Sequence, residues 1–137
     1  MRIVQINNFY QQGSTGKIVD DIHQYLCRCG HESYVLYGIG NKSTDPRAIR
    51  VTAHLTRKIQ SLQSRITGFA YAGAPFGNWN ILRILKRIKP DVVHLHCING
   101  NFINVYKLLE YLKKNEIPTV ITLHAEFLYT AGCGYAM

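Results

Sequence analysis

The sequence has few cysteines, no long apolar run and no recognisable secretory signal. Of 137 residues, four are cysteine, at 27, 29, 97 and 133, and none forms a C-x-x-C pair. So few thiols exclude a disulfide framework and predict reduced cysteines in a cytoplasmic protein. No apolar stretch approaches the roughly 18 residues of a membrane span. The apolar run at the start of the chain is short and is typical of a strand rather than a secretory signal.

Acidic residues are also scarce. The chain has 8 Asp and Glu against 16 Lys and Arg, a net charge of +8. This excess favours an anionic partner, namely a phosphorylated ligand, an acidic membrane surface or nucleic acid, although charge of this kind also serves solubility. A hydrophobic fraction of 47% with 18% charged residues excludes a disordered chain. The length fits one domain, which we assign to residues 1–137.

Strand and helix patterns alternate along the chain. β-rich runs predict strands at 2–6, 33–37, 91–96 and 118–124, and helical spacing of apolar residues predicts helices at 15–28, 54–66, 79–89 and 102–114. Residues 7–15 and 41–50 are expected to be turn and loop. Continuous apolar strands predict an α/β fold, a Rossmann-like open parallel sheet with helices on both faces.

Two of the predicted strands end on histidine, at His96 and His124. Ligands of open α/β sheets bind beyond the carboxyl ends of the strands. His124 is the leading catalytic candidate, since a neutral imidazole there can donate a hydrogen bond to a hydroxyl or stabilise developing charge. Glu126 is either its carboxylate partner or a solvated loop residue. His94 is expected to be a hydrogen-bonded core residue and His96 a ligand-contacting one.

A zinc site built from the three histidines of these strands is conceivable. No carboxylate or cysteine is placed to complete it, so we expect no metal.

The segment Gly13-Ser14-Thr15-Gly16 follows the first strand and opens a helix. Glycines there allow close backbone approach, and free amides with the helix dipole favour a phosphate. The segment lacks the Walker A pattern and the G-x-G-x-x-G fingerprint. An ordinary turn with Ser14 or Thr15 as helix N-cap therefore explains the spacing equally well.

The predicted helices 54–66 and 79–89 are basic. Each can pack an apolar stripe on the sheet and expose its charge to water, and we favour this interpretation for 54–66. Helix 79–89 begins at Trp79 and carries four basic residues, so its alternative role is peripheral contact with an anionic membrane.

Several motifs in order resemble one known family. The resemblance covers nearly the whole chain and is weakest over 41–89. The motifs are Gln5–Asn7, Gly13–Ile18, Gly30–Glu32, Tyr37–Gly38, Pro90–His96, Gly100 with Ile103 and Asn104, and Thr122–His124 through Thr130 and Cys133. Together they are similar to the N-terminal half of the bacterial polysaccharide glycosyltransferases of family 4, which are retaining and nucleotide-sugar-dependent.

The resemblance implies one half of a GT-B fold, in which the N-terminal domain mainly holds the acceptor. It assigns the glycine-rich segment, which we extend to Lys17, to the donor phosphates, and it assigns His124 to the transferred sugar. We further assign His96, Asn99 and Thr130 to substrate binding. The implied partners are a nucleotide-sugar donor and a glycan or lipid-linked acceptor. The implied setting is surface polysaccharide synthesis at the inner face of the plasma membrane, and no cofactor or metal is expected.

The chain ends soon after the second histidine, so we expect a fragment that lacks a donor-binding domain and transfers little sugar alone. The alternative is a stand-alone Rossmann-like module that binds a phosphorylated ligand or a partner subunit. No motif of interleaved aromatic and basic residues supports nucleic-acid binding, so no nucleic-acid partner is expected.

Overall fold

The computed structural model describes residues 1–52 and 75–124. The predicted helix 54–66 and the candidates Glu126 and Thr130 lie outside this range. The elements in chain order are β1 (Arg2–Phe9), α1 (Gly13–Arg28), β2 (Glu32–Ile39), β3 (Ala48–Arg50), α2 (Pro75–Ile88), β4 (Val92–Leu95), α3 (Val105–Lys114) and β5 (Thr119–Ile121). No helix of the described ranges is long and apolar enough to cross a membrane.

The strands form one sheet in the order β3-β2-β1-β4-β5, and every pairing is parallel. The chain moves outward from β1 on one side to β2 and β3, and on the other side to β4 and β5. The strand order therefore reverses between β1 and β4, which is the place where open α/β sheets bind their ligands. The predicted Rossmann-like α/β sheet is confirmed.

One face of the sheet is apolar and lies against α2 and α3. Alternate residues along a strand point to the same face, so a single strand supplies several members of this core. Its fully buried residues include Val4 and Ile6 of β1, Val93 and Leu95 of β4, Ile81 and Leu85 of α2, and Leu108 of α3. At roughly 1.5–3 kcal/mol for each fully buried aliphatic side chain, this layer is the main source of stability.

The opposite face lies partly under α1. Val19 of α1 packs with Val35 and Tyr37 of β2 in a second cluster. Helices therefore cover both faces of the sheet, as the sequence predicts. This face also carries polar side chains of β1, β4 and the segment after β5, which form the site described below.

A Ser-His-Asp group, whose serine and histidine are buried, holds α1 on the sheet. His23 of α1 contacts Ser33 of β2 through Nδ1 at 2.8 Å and Asp45 through Nε2 at 2.9 Å. The carboxylate of Asp45 accepts a hydrogen bond from Nε2–H of His23. Ser33 is 0% exposed, so this group resembles a catalytic triad but has no access to a substrate. It ties α1 to β2 and to the loop before β3.

Several predicted boundaries are wrong, each for a tertiary reason. β1 extends through Asn7 to Phe9, because pairing with β2 continues to Phe9 and Ile39. The expected loop 41–50 contains β3, whose three residues are too few to show a strand pattern. α2 begins at Pro75 instead of 79, in keeping with the tolerance of proline at a first helical position. β5 ends at Ile121, so His124 follows the strand instead of ending it.

The glycine at position 38 leaves room for a core phenylalanine. A Cβ there would overlap the Cβ and ring of Phe102, which is fully buried. We expect Gly38→Ala to lower the free energy of unfolding by about 1–3 kcal/mol through overpacking, as measured by urea unfolding. Combining it with Phe102→Ala, which removes Cγ and the ring, should cost less than the sum of the two single changes. Strict additivity would contradict this contact.

Candidate functional site

The last residues of β1 and the loop after β4 are joined at the carboxyl edge of the sheet. The backbone N–H of Asn8 donates to the carbonyl of Cys97 at 2.8 Å, and the Cys97 N–H donates to Oδ1 of Asn7 at 3.0 Å. Burial raises the pKa of the Cys97 thiol, and a hydrogen bond with the Thr15 side chain opposes this rise. The glycine-rich start of α1 and the loop after β4 therefore lie together at the switch point.

The first turn of α1 presents backbone amides that no side chain caps. The N-cap residue is Gln12, which makes no side-chain cap bond, and the first turn contains no acidic residue. The expectation that Ser14 or Thr15 caps the helix is wrong, because both lie inside it. Ser14 and Lys17 are exposed and Thr15 is half-buried. Uncapped N–H groups, the helix dipole and a nearby ammonium favour an anion here.

Gly13 and Gly16 are required for different structural reasons. Gly13 has φ of +64°, and a Cβ added there would meet nothing within 4 Å. It permits a left-handed turn and leaves open space above it. A Cβ at Gly16 would lie 3.3 Å from the Gln11 nitrogen and from Cβ of Phe9. Gly16 therefore lets α1 approach the preceding turn, and substitution there tests packing as much as ligand binding.

Two side chains of the preceding turn are bonded to α1. The Tyr10 hydroxyl donates to Oδ1 of Asp20 at 2.7 Å, and Nε2 of Gln11 donates to Oδ2 at 3.3 Å. Burial and then this carboxylate raise the pKa of Tyr10, so its hydroxyl remains a donor. These bonds hold the turn in place and engage the carboxylate nearest to the start of the helix.

Three histidines and a threonine form a row on the α1 side of the sheet. His94 Nε2 lies 2.7 Å from Oγ1 of Thr122, and His96 Nδ1 lies 3.1 Å from Nε2 of His124. The rings of His94 and His96 have centroids 3.9 Å apart, and those of His96 and His124 are stacked at 5.4 Å. The sequence suggested a convergence of these histidines only as a conceivable zinc site, and the structure brings the two segments into direct contact.

The structure reverses the expected burial of the first two histidines. His96 is 2% exposed, whereas His94 is half-buried. Burial, followed by the nearby His94 and His124, lowers the pKa of His96 to about 3, so its ring is neutral at physiological pH. Burial and then His124 lower the pKa of His94 as well.

His96 stays a predicted substrate-binding residue, although it has little exposed surface. Its Nε2 lies 3.2 Å from Oε1 of Gln5, so both ring nitrogens are engaged within the chain. His124 is half-buried, and Asn99 is half-buried in the loop after β4.

The sequence reasoning missed Gln5 and Asn8 as individual residues of the site. Gln5 is a polar side chain inside an otherwise apolar predicted strand, and that contrast was the available signal, whereas Asn8 fell in the predicted turn. Asn8 lies against Gly100, and its carbonyl oxygen is buried with no partner in the described part of the chain. A buried acceptor of this kind usually has a partner, so Asn8 joins the candidate residues of the carboxyl edge.

Within residues 1–52 and 75–124, no group of three or more His, Cys, Asp or Glu residues is arranged to hold a metal ion. The two nitrogens of His96 point to Gln5 and His124 and not to a shared centre. The absence of a metal requirement stays a prediction.

A family model described as Glycosyltransferase Family 4 matches residues 15–134, most of the chain. No curated protein and no solved structure matches the chain.

The neutral state of His96 predicts acid sensitivity. Its pKa falls from 6.5 to about 3 on folding, so between these values the unfolded chain binds the extra proton. Stability is therefore full above pH 6.5 and declines as the pH falls toward 3, by about 1.4 kcal/mol per pH unit for one linked proton. Urea unfolding from pH 7.5 to 4.5 should show a smaller slope in His96→Gln. An unchanged slope would show that His96 is not the linked group.

Proposed function

The chain belongs to glycosyltransferase family 4, and from this premise we propose that it is the acceptor-side domain of a retaining, nucleotide-sugar-dependent glycosyltransferase. A second Rossmann-like domain completes the GT-B enzyme and holds most of the donor. The enzyme moves a hexose onto a glycan or lipid-linked glycan in surface polysaccharide synthesis. One observation carries the proposal: the start of α1 and the loop after β4 meet at the switch point of the sheet.

The start of α1 is suited to the donor diphosphate. Its uncapped amides, its positive dipole end and the exposed Lys17 can stabilise the negative charge that develops on the leaving nucleoside diphosphate. This stabilisation needs no metal. In the proposed enzyme, Gly13–Lys17 face the phosphates, and Gly13 keeps the space above the turn open.

We assign His124 to contact with the transferred sugar. It follows β5, is half-buried, and has its ring held by His96. A ring that is already oriented stabilises the transition state more than a mobile ring does, because its conformational entropy is lost during folding and not during the reaction. Asn99, which is half-buried in the loop after β4, is a candidate for binding hydroxyl groups of the acceptor or donor.

The exposed side of α2 supports peripheral contact with anionic lipid. Trp79 is 62% exposed and the Arg83 guanidinium lies 5.3 Å from its ring centroid. Lys86, Arg87 and Lys89 are exposed on or just after the same helix. An exposed tryptophan within a basic surface is typical of helices that lie on anionic membranes, where a lipid-linked acceptor would be found.

Calorimetric titration tests the proposal. The probes are UDP, GDP, ADP and their hexose derivatives, added to the chain alone and to a chimera that carries the C-terminal domain of a family member. We expect the chimera to bind one base class clearly more tightly than the chain alone. Lys17→Gln should weaken that binding roughly tenfold, because it removes one charge-assisted contact.

The matched control is Lys113→Gln. Lys113 is also exposed, but it lies in the last turn of α3, at the edge where the strands begin. It should leave the affinity unchanged. Equal losses in both variants would indicate general electrostatics. Tight binding by the chain alone would favour the stand-alone binding module instead.

A further inference from the structure

A hydrogen-bonded chain runs from α1 through the sheet to His124. Gln5 is 0% exposed, and its amide lies between the Val19 carbonyl, 3.3 Å from Nε2, and the His96 ring, 3.2 Å from Oε1. His96 in turn lies 3.1 Å from His124. None of these side chains has an alternative partner among the described residues, so the proton positions in the chain follow from one another.

The carbonyl of Val19 fixes the first step. A carbonyl oxygen accepts and never donates, so it requires the NH2 group of Gln5 to face it. The opposite orientation of the amide would place two acceptor oxygens against each other inside the protein. The amide oxygen of Gln5 therefore faces His96, and it can only accept.

The second step fixes the proton of His96. Because Gln5 Oε1 accepts, Nε2 of His96 carries a hydrogen and donates it. The ring is neutral, since the pKa of His96 is lowered to about 3 by burial and by its histidine neighbours. A neutral ring carries one N–H, so Nδ1 of His96 has a free lone pair directed at Nε2 of His124.

We propose that Gln5 and His96 are positioning residues that keep the proton of neutral His124 on Nε2 and leave Nδ1 as the nitrogen that meets the substrate. Nε2 of His124 donates to Nδ1 of His96, and a neutral His124 therefore has a bare Nδ1. No partner for this Nδ1 occurs among residues 1–52 and 75–124.

The inference rests on the proposed function for its substrate and refines the role of His124. A bare Nδ1 accepts a hydrogen bond from a sugar hydroxyl, whereas the sequence predicted a neutral imidazole that donates one. The ring orientation is also fixed, because stacking on His96 at a centroid distance of 5.4 Å and the Nε2 bond act together. The same logic applies to metal-binding histidines, whose second nitrogen sets the tautomer of the first.

Nitrogen NMR of the 137-residue chain with labelled histidine reads the tautomers directly. At pH 7.5 we expect His96 and His124 each to show a protonated Nε2 and a bare Nδ1. Gln5→Met removes the acceptor with little change in size, so both rings should move toward mixed tautomers. In Gln5→Glu, burial favours a protonated carboxyl, whose O–H can donate to the Val19 carbonyl while its other oxygen accepts from His96. This variant should therefore return His96 to the Nε2–H form.

The matched control is Thr122→Val, which removes the partner of His94 without touching this chain of bonds. It should change the His94 resonances and leave the tautomers of the other two rings in place. A protonated Nδ1 on neutral His124 in the unaltered protein would overturn the proposal. This test needs no variant, so it remains available even if a variant fails to fold. Unchanged tautomers in Gln5→Met would also overturn it, as would a Gln5→Glu protein that behaves like Gln5→Met.

A second readout separates the inference from the proposed function. In the two-domain chimera, Gln5→Met should lower kcat about 2- to 10-fold, the range of one hydrogen bond, with little change in the KM of the donor. The tautomers can be as proposed while no sugar is transferred, in which case the function is wrong and the positioning stands. If sugar is transferred while neutral His124 carries its proton on Nδ1, the proposed function stands and the positioning inference is wrong.

Discussion

The pairing of β1 with β4 is the constraint on which the rest of the structure depends. β1 is the central strand, and its polar residues bond across to β4 and its loop: Gln5 to His96, Asn7 to the Cys97 amide, and the Asn8 amide to the Cys97 carbonyl. Buried polar groups of this kind are costly unless they are paired, so the pairing fixes one register and one loop position. The same contacts bring the start of α1 to the carboxyl edge of the sheet.

One face of β1 contributes to the apolar core, and the other face carries residues of the candidate site. Val4 and Ile6 point to the apolar layer under α2 and α3, which stabilises the fold. Gln5 points to the α1 side, where the histidines lie. Because strand residues alternate between faces, a shift of one residue in register would place the polar group in the core. The apolar layer therefore also specifies where the site residues point.

The sequence predicts the sheet, its parallel pairing and most helices, because apolar periodicity records which face is buried. It does not predict β3, whose three residues are too short for a pattern. The sequence also predicted the buried environment for His94 and the accessible one for His96, whereas the structure shows the reverse. The position of a residue near a strand end does not show which side chains pack against its ring. Gln5 could be noticed as polar in an apolar strand, but its partners are 14 and 91 positions away and belong to tertiary structure.

An NMR titration of the chain with nucleoside diphosphates and nucleotide-hexoses, followed through its assigned backbone amides, tests the central claim most directly. The account predicts shifts at Gly13–Lys17, in the loop after β4 and at His124, which all lie at one edge of the sheet. Shifts confined to the exposed faces of α2 and α3, or to the edge where the strands begin, would contradict it.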